Sequence, residues 1–120
     1  MIEVMPESQG NVLGVKMGGK ITAREYEDVI IPGVETVLQE YGKVRFMYLL
    51  DESFQGAEAG AMWDDTKLGF KHRNDFEKLA LVGGSKWMEW LTKLAAKFIS
   101  GETKTFPPDQ LQEAWDWLQS

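Results

Sequence analysis

The stretch that decides the fold is KVRFMYLLDESFQGAEAG, residues 43–60. It begins with an almost unbroken apolar run, Val44–Leu50, in which polar and apolar positions do not alternate. A short run without alternation is typical of a strand that is covered on both faces of a sheet. The polar residues Asp51-Glu52-Ser53 follow it. We therefore predict a central strand, a polar loop at the carboxyl edge of the sheet, where open α/β sheets usually meet ligands, and then a helix.

Strands alternate with helices on both sides of this segment. Four further strands are predicted, over residues 2–5, 12–17, 77–82 and 102–106. The first two form an antiparallel hairpin around a turn that contains Gly10. The others are separated by helices, which indicates parallel pairing through right-handed crossovers. The predicted order is β-β-α-β-α-β-α-β-α.

The first helix is predicted from its capping box, Thr22-Ala23-Arg24-Glu25. Pro32 interrupts the helical pattern, so we expect a kink near Ile31 or two helical pieces. Gly42 is the predicted stop. The apolar face at helical spacing consists of Tyr26, Ile30, Val34, Val37, Leu38 and Tyr41.

Three more helices are predicted. The second covers residues 57–72, with a mixed apolar face of Ala59, Met62 or Trp63, Thr66, Gly69 and Phe70. The third follows Ser85 as N-cap, and its apolar face is Trp87, Trp90, Leu91, Leu94, Ala95, Phe98 and Ile99. The last follows Pro107-Pro108, and its apolar face is Leu111, Ala114, Trp115 and Leu118.

Composition narrows the class of protein. A chain of 120 residues with 43% apolar and 27% charged residues is expected to be one soluble domain over 1–120. The absence of cysteine excludes disulfides and thiolate chemistry, and it agrees with a cytoplasmic location. A net charge of −6 disfavours nucleic acid and anionic lipid as partners. We find no signal peptide and no apolar stretch long enough to be a transmembrane segment.

Four sequence features, arriving in one order, resemble a known family. They are GKIT at residues 19–22, LLD with FQG at 49–56, LALVG at 79–83, and Phe106 followed by EAWDWL at 113–118. Together they resemble the SpoIIAA-like family of small bacterial proteins, which is related in fold to STAS domains (sulphate transporter and anti-sigma factor antagonist). The resemblance covers nearly the whole chain.

The resemblance implies an α/β fold of the SpoIIAA/STAS type. We expect a mixed, mostly parallel five-stranded sheet with about four helices, stacked mainly on one side. Such folds are also likened to CRAL-TRIO lipid-binding domains. In STAS regulators a serine in the loop after the central strand, in an Asp-Ser-Ser-Gly type of motif, is phosphorylated and controls a kinase-like partner. Here Ser53 stands in that loop, but the motif does not match residue by residue, and the flanking Asp51 and Glu52 would repel a phosphate.

No catalytic signature is visible in the sequence, and we predict no catalytic residue. A Ser53–His72–Asp51 triad can be written down, but no nucleophile-elbow or oxyanion motif accompanies it. His72 is the single histidine, so a histidine metal site is not expected. Its neighbours Lys71 and Arg73 favour a solvated helix end.

The paired acids and paired glycines are given ordinary structural roles. Asp64-Asp65 suits either divalent-cation or acid–base chemistry, but without a ligand-spacing motif it is interpreted as a solvated acidic helix face. Gly18-Gly19 and Gly83-Gly84 match no phosphate-binding loop and are interpreted as turns. We therefore expect neither a metal nor a cofactor.

Five tryptophans in 120 residues are the most unusual feature of the composition. Trp87, Trp90 and Trp115 fall on apolar helix faces and are predicted to be core residues. Trp63 and Trp117 fall beside those faces and are candidates to line a groove or a homodimer interface.

These patterns converge on one predicted site. Phe54, Met62 and Trp63 would form an apolar pocket just beyond the central strand. Its predicted rim is Asp51, Ser53 and Gln55, and Gly56 would let the backbone approach a partner closely.

The first functional hypothesis is a non-enzymatic binding module that holds a small apolar or lipid-like ligand, or a protein partner, at this site. The alternatives are a partner-switching regulator phosphorylated at Ser53 and a hydrolase-type enzyme.

Overall fold

The computed structural model describes residues 1–84 and 86–120, with every side chain of these residues except that of Phe98. The strands within them are β1 (Ile2–Val4), β2 (Val12–Met17), β3 (Lys20–Ile21), β4 (Val44–Leu50), β5 (Gly56–Ala57), β6 (Phe76–Val82) and β7 (Glu102–Phe106). The helices are α1 (Ala23–Glu25), α2 (Ile31–Tyr41), α3 (Ala59–Lys71), α4 (Trp87–Phe98) and α5 (Leu111–Gln119). A π-helical turn, Tyr26–Ile30, joins α1 to α2, and a 3-10 turn, Pro108–Gln110, precedes α5. None of the described helices is long and apolar enough to cross a membrane.

Five of the described strands form one mixed sheet in the order β1-β2-β4-β6-β7. β1 pairs antiparallel with β2, and the other three pairings are parallel. The predicted hairpin and the central position of residues 44–50 are confirmed, and the predicted strand over residues 102–106 lies at the edge of the sheet. β3 and β5 form a separate two-stranded parallel sheet, which the sequence did not predict.

Both faces of β4 are covered, as its unbroken apolar run predicts. Phe46, Tyr48 and Leu50 belong to the core cluster that includes residues of α2, α3 and α4. Met47 belongs to the opposite cluster, which includes the buried side chains of α5. The helices therefore stack mainly on one side of the sheet, and α5 covers the other side.

The segment before α2 confirms the capping box and explains the effect of Pro32. Glu25 donates its backbone N–H to Oγ1 of Thr22, and Thr22 donates its own to the Glu25 carboxylate, at 3.1 and 3.0 Å. Proline lacks an N–H and crowds the preceding turn, and here that turn is a π turn in which Ile31 N–H reaches the Tyr26 carbonyl. The helix is thus two pieces joined by a wider turn. Gly42 ends it at φ 76°.

The predicted faces of two helices need correction. α3 begins at Ala59 instead of 57, because Gly56–Ala57 pairs with β3. Its buried face carries Ala61, Asp64 and Leu68, whereas Trp63 and Phe70 are 62% and 56% exposed. Small and acidic residues lie on the buried face of α3, so a prediction of that face from the most apolar residues selects the wrong side of the helix.

At the end of α2, Tyr41 is 49% exposed instead of belonging to the apolar face. The predicted N-cap at Ser85 and the predicted burial of the Phe98 side chain lie outside what the structure describes.

Contacts from the sheet hold α5 in place. The Trp115 ring packs on Gly14 of β2, where an added Cβ would lie 2.5 Å from ring atom Cη2. At the other end of α5, the Arg45 guanidinium donates to the Leu118 carbonyl and the Lys78 ammonium donates to the Trp117 carbonyl. Cations at a helix C-terminus satisfy its free carbonyls and favour its dipole.

The Gly14–Trp115 contact gives a stability prediction. Gly14→Ala is expected to lower the free energy of unfolding by about 1–3 kcal/mol, because the new methyl group overpacks the contact. Urea denaturation measures the change. In a Trp115→Phe background the smaller ring leaves room, so the same substitution should cost less. Equal costs in the two backgrounds would contradict the contact.

Candidate functional site

Three polar side chains from three different elements meet at the border of the core, where Tyr26 and Tyr48 are buried and Asp65 is partly buried. Tyr26 comes from the π turn, Tyr48 from the middle of β4, and Asp65 from α3. Both phenol groups donate to Oδ1 of Asp65, Tyr48 at 2.6 Å, and the two phenol oxygens lie 3.0 Å apart. Each phenol has one proton to donate, and the carboxylate oxygen accepts both hydrogen bonds. We call these residues the Tyr–Tyr–Asp cluster.

Burial dominates the electrostatics of this cluster. It raises the pKa of the Asp65 carboxyl above its ordinary value, and the hydrogen bonds from Tyr26 and Tyr48 offset only part of that effect. Burial and the neighbouring Asp65 charge raise the pKa of both tyrosine hydroxyls well above their ordinary value. Both phenols therefore stay protonated at neutral pH and remain donors.

Two small cavities lie on either side of the cluster, each of about 30 Å³. They adjoin because Tyr48, Asp65 and Leu91 line both. The first, which we call the inner cavity, is otherwise apolar, with Leu68, Phe76, Leu79, Leu81, Leu94 and Ile99 among its lining residues. The second, the mouth cavity, is lined by Ile21, Tyr26, Phe54, Ala61, Met62, Trp87 and Trp90, among others.

The structure brings part of the predicted pocket to the mouth cavity. Phe54 and Met62 line it, as members of one apolar surface. Trp63 does not, because it lies on the outer side of α3, with the Lys67 ammonium 5.9 Å from its ring centre. The helical turn that points Ala61 and Asp65 inward necessarily points Trp63 outward.

The polar residues predicted as the rim form a loop that is tied to the chain before α1. The Ser53 hydroxyl donates to Asp51 Oδ1 at 2.6 Å and accepts from the Gly19 amide at 3.1 Å. The backbone N–H of Gln55 donates to the Gly19 carbonyl at 2.8 Å. The hydrogen bond from the Ser53 hydroxyl lowers the pKa of Asp51. These contacts fix the loop above Phe54.

Phe54 separates the mouth cavity from a second hollow on the surface. An open groove of about 550 Å³ is lined by Phe54, Asp51 and Glu52, together with Leu49, Leu50, Gly84 and Pro108. Phe54 is therefore the one predicted site residue that contacts both spaces among the described residues. The single predicted pocket is thus divided into an outer acidic groove and the apolar mouth cavity.

Gly56 does allow a close approach, but of the chain's own Trp87. A Cβ at this position would lie 2.6 Å from Cζ2 of the Trp87 ring, and the φ angle of 122° also favours glycine. Phe54, Trp87 and Trp90 then follow one another edge to face, with ring centres 6.2 Å apart in both pairs. Gly56 thereby seats an aromatic wall of the cavity.

The tryptophan predictions are met in part. Trp115 is buried, while Trp87 and Trp90 are only partly buried and line the mouth cavity. Trp117 is partly buried against Phe106. The amphipathic helix α4 therefore contributes residues both to the core and to the wall of the mouth cavity.

In the structure, His72 lies far from Ser53 and Asp51, so these three residues do not form a triad. Ser53 follows the carboxyl end of β4, whereas His72 precedes β6, whose first residue pairs with Val44 at the amino end of β4. A seven-residue strand spans roughly 20 Å. His72 is also not a solvated helix end: its ring is largely buried, and Nδ1 lies 2.9 Å from the Asp75 carboxylate.

The acidic pair was also misinterpreted. Asp64 is buried, and Asp65 accepts two phenol hydrogen bonds, so the pair does not form a solvated face. Sequence reasoning missed the whole Tyr–Tyr–Asp cluster. The signals present were a tyrosine in the apolar run of β4 and an aspartate four residues after Ala61, on the same side of α3.

The comparisons with known proteins agree with this fold. A family model described as SpoIIAA-like matches residues 12–119. One similar solved structure is an uncharacterized protein of the DUF3478 family with a SpoIIAA-like fold, from Shewanella loihica PV-4. It is 32% identical, the match covers 98% of this chain and 93% of that one, and the TM-score is 0.74. No curated protein matches this chain.

The raised pKa of Asp65 gives a pH-dependent stability prediction. Below its ordinary value of 3.8 the carboxyl is neutral in the folded and unfolded chains alike. As the pH rises above 3.8, the unfolded chain releases the Asp65 proton more easily than the folded chain does. The free energy of unfolding therefore falls until the pH has passed the raised folded-state pKa of Asp65. Asp65→Asn cannot ionise, so it should be more stable than the original protein near neutral pH.

Urea denaturation at a series of pH values measures this difference. The advantage of Asp65→Asn should be smallest below pH 3.8 and should grow as the pH rises. Because all other carboxyls are shared by the two proteins, their titration cancels. A difference that stays constant with pH would show that the folded state does not perturb Asp65.

Proposed function

We propose that this chain, which belongs to the SpoIIAA-like family, is a binding module for small, largely apolar molecules. The ligand lies between α3 and α4, against the Tyr–Tyr–Asp cluster. One observation carries the proposal: two adjoining apolar cavities interrupt the packing of the core on either side of that cluster. Ligand sites are typically apolar concavities with a few convergent polar groups, and this place has both.

The chemistry of the lining supports an apolar ligand. Protein interiors are packed about as densely as organic crystals, so gaps beside a buried polar cluster are unusual. An apolar group that enters against this lining is removed from water. Burial of that group contributes about 25 cal/mol for each Å² removed from water. The cluster offers one polar contact that fixes orientation.

The size of the cavities determines how a ligand must enter. Each holds about 30 Å³, close to the volume of one water molecule in the liquid, so a larger ligand must move side chains aside. Met62 and Trp90 are partly exposed and line the mouth cavity, so their outward rotation would open it without unpacking the sheet. The site therefore opens between α3 and α4.

The geometry favours this proposal over a regulator controlled by phosphorylation at Ser53. The Ser53 hydroxyl donates to the Asp51 carboxylate, so a phosphate there would replace a hydrogen bond with repulsion between like charges. It favours the proposal over a hydrolase as well, since His72 lies at the opposite end of β4. Neither alternative makes use of the cavities.

Filling the mouth cavity tests the proposal. Ala61 is buried and lines it, so Ala61→Leu should occupy part of the space that a ligand needs. With 1-octanol as the probe, we expect binding to weaken at least about tenfold, which is about 1.4 kcal/mol. Isothermal titration calorimetry measures both proteins.

Trp63→Ala is the matched control, because Trp63 lies on the outer side of the same helix and lines neither cavity. It should leave octanol affinity unchanged. Equal affinity in the original protein and Ala61→Leu, or a loss only in Trp63→Ala, would place the ligand elsewhere. Circular dichroism and urea denaturation confirm that both variants are folded.

A further inference from the structure

Asp65 is an uncompensated negative charge in the candidate site. Among the described residues that line the two cavities, it is the only one with an ionisable acidic or basic group other than the two tyrosines. No described lysine, arginine or histidine forms an ion pair with it. Its Oδ1 accepts both phenol hydrogen bonds, and its Oδ2 accepts none from a described residue. Oδ2 of Asp65 therefore has neither a cationic partner nor an N–H or O–H donor among the described residues.

The walls around this charge are unusually aromatic. Tyr26, Tyr48, Phe54, Trp87 and Trp90 all line the mouth cavity beside Asp65. The faces of aromatic rings carry negative potential and attract cations, and tryptophan does so most strongly. A carboxylate surrounded by such rings is suited to a positively charged group.

We propose that the ligand of this site is an aliphatic amine, with its protonated head against Asp65 and its apolar body between α3 and α4. This inference rests on the proposed function, and it names the chemical class of the ligand. A protonated amine supplies the missing charge together with N–H donors for Oδ2. Its alkyl chain matches the apolar lining of the inner cavity, which includes Leu68, Leu79 and Leu94 and must widen from about 30 Å³ to admit it.

Other head groups satisfy the site less well. A fatty-acid carboxylate would meet the Asp65 carboxylate at close range, and like charges in a site of low dielectric repel strongly. An alcohol donates one hydrogen bond to Oδ2 but leaves the charge uncompensated. The expected order of affinity for one chain length is therefore amine, then alcohol, then carboxylate.

The experiment compares three eight-carbon probes on the full chain. n-Octylamine, 1-octanol and octanoate share an alkyl length and differ in the head group, and the amine is protonated at neutral pH. Calorimetric titration should find octylamine at least tenfold tighter than octanol, with octanoate weakest. In Asp65→Asn, octylamine should lose its advantage and bind no tighter than octanol does to the same variant.

A control removes the effect of overall charge. The chain has a net charge of −6, which attracts any cation weakly. Glu113 is exposed on α5, which packs on the other face of the sheet, so Glu113→Gln makes the same charge change far from the cavities. The amine preference should survive in Glu113→Gln and disappear in Asp65→Asn.

The outcomes separate the inference from the proposed function. Octanol binding as tightly as octylamine, or an amine preference that survives in Asp65→Asn, overturns the amine proposal and leaves an apolar site in place. If none of the three probes binds, the proposed function fails and the inference fails with it. Asp65→Asn is expected to fold at neutral pH, and its unfolding curve verifies that lost binding is not lost structure.

Discussion

β4 has to be buried on both faces, and most of the structure follows from that constraint. Its side chains alternate between two apolar clusters, so one helix layer must cover each side. α5 covers one side, with Trp115 seated on Gly14, and α2, α3 and α4 cover the other. The same constraint places the hydroxyl of Tyr48 inside the protein, where a buried polar group needs a partner. Asp65 of α3 and Tyr26 of the π turn provide it.

The polar cluster is costly for the fold. Asp65 is a partly buried carboxylate that forms no ion pair with a described residue, and a charge in such a place is less favourable than an apolar residue of similar volume. The packing around it is also incomplete, because cavities lie on both sides. A locally unfavourable choice of residues in a consistent fold is typical of a functional site. This is the physical basis for proposing a ligand site between α3 and α4 instead of in the loop.

The loop after β4 has a structural part in that site. Ser53 and Gln55 bind the backbone at Gly19, and Gly56–Ala57 pairs with Lys20–Ile21, so the loop is anchored to the segment that leads into the π turn. Gly56 then receives the Trp87 ring of α4. Through these contacts the elements that carry Tyr26, Tyr48 and Asp65 are held together. The residues predicted as a binding rim thus position the wall and the entrance of the cavity.

The sequence by itself determined the five strands of the main sheet, their alternation with helices along the chain, the capping box at Thr22 and the stop at Gly42. These features depend on local periodicity, capping and turn chemistry, which are encoded over a few neighbouring residues. The SpoIIAA-like resemblance was also legible in the order of four short motifs. Phe54 and Met62 were identified because they lie next to the central strand, close in sequence to a predictable feature.

Only the tertiary structure decided which side of α3 faces inward and which polar groups meet there. Tyr26, Tyr48 and Asp65 are separated by 17 to 39 positions in the chain, and no local pattern specifies their contact. The buried side of α3 contains alanine and aspartate, while its aromatic residues are exposed, so hydrophobicity indicates the opposite face. Packing against β4 and the π turn selects the inward side, because Ala61 and Leu68 are buried there and Asp65 accepts hydrogen bonds from both phenols.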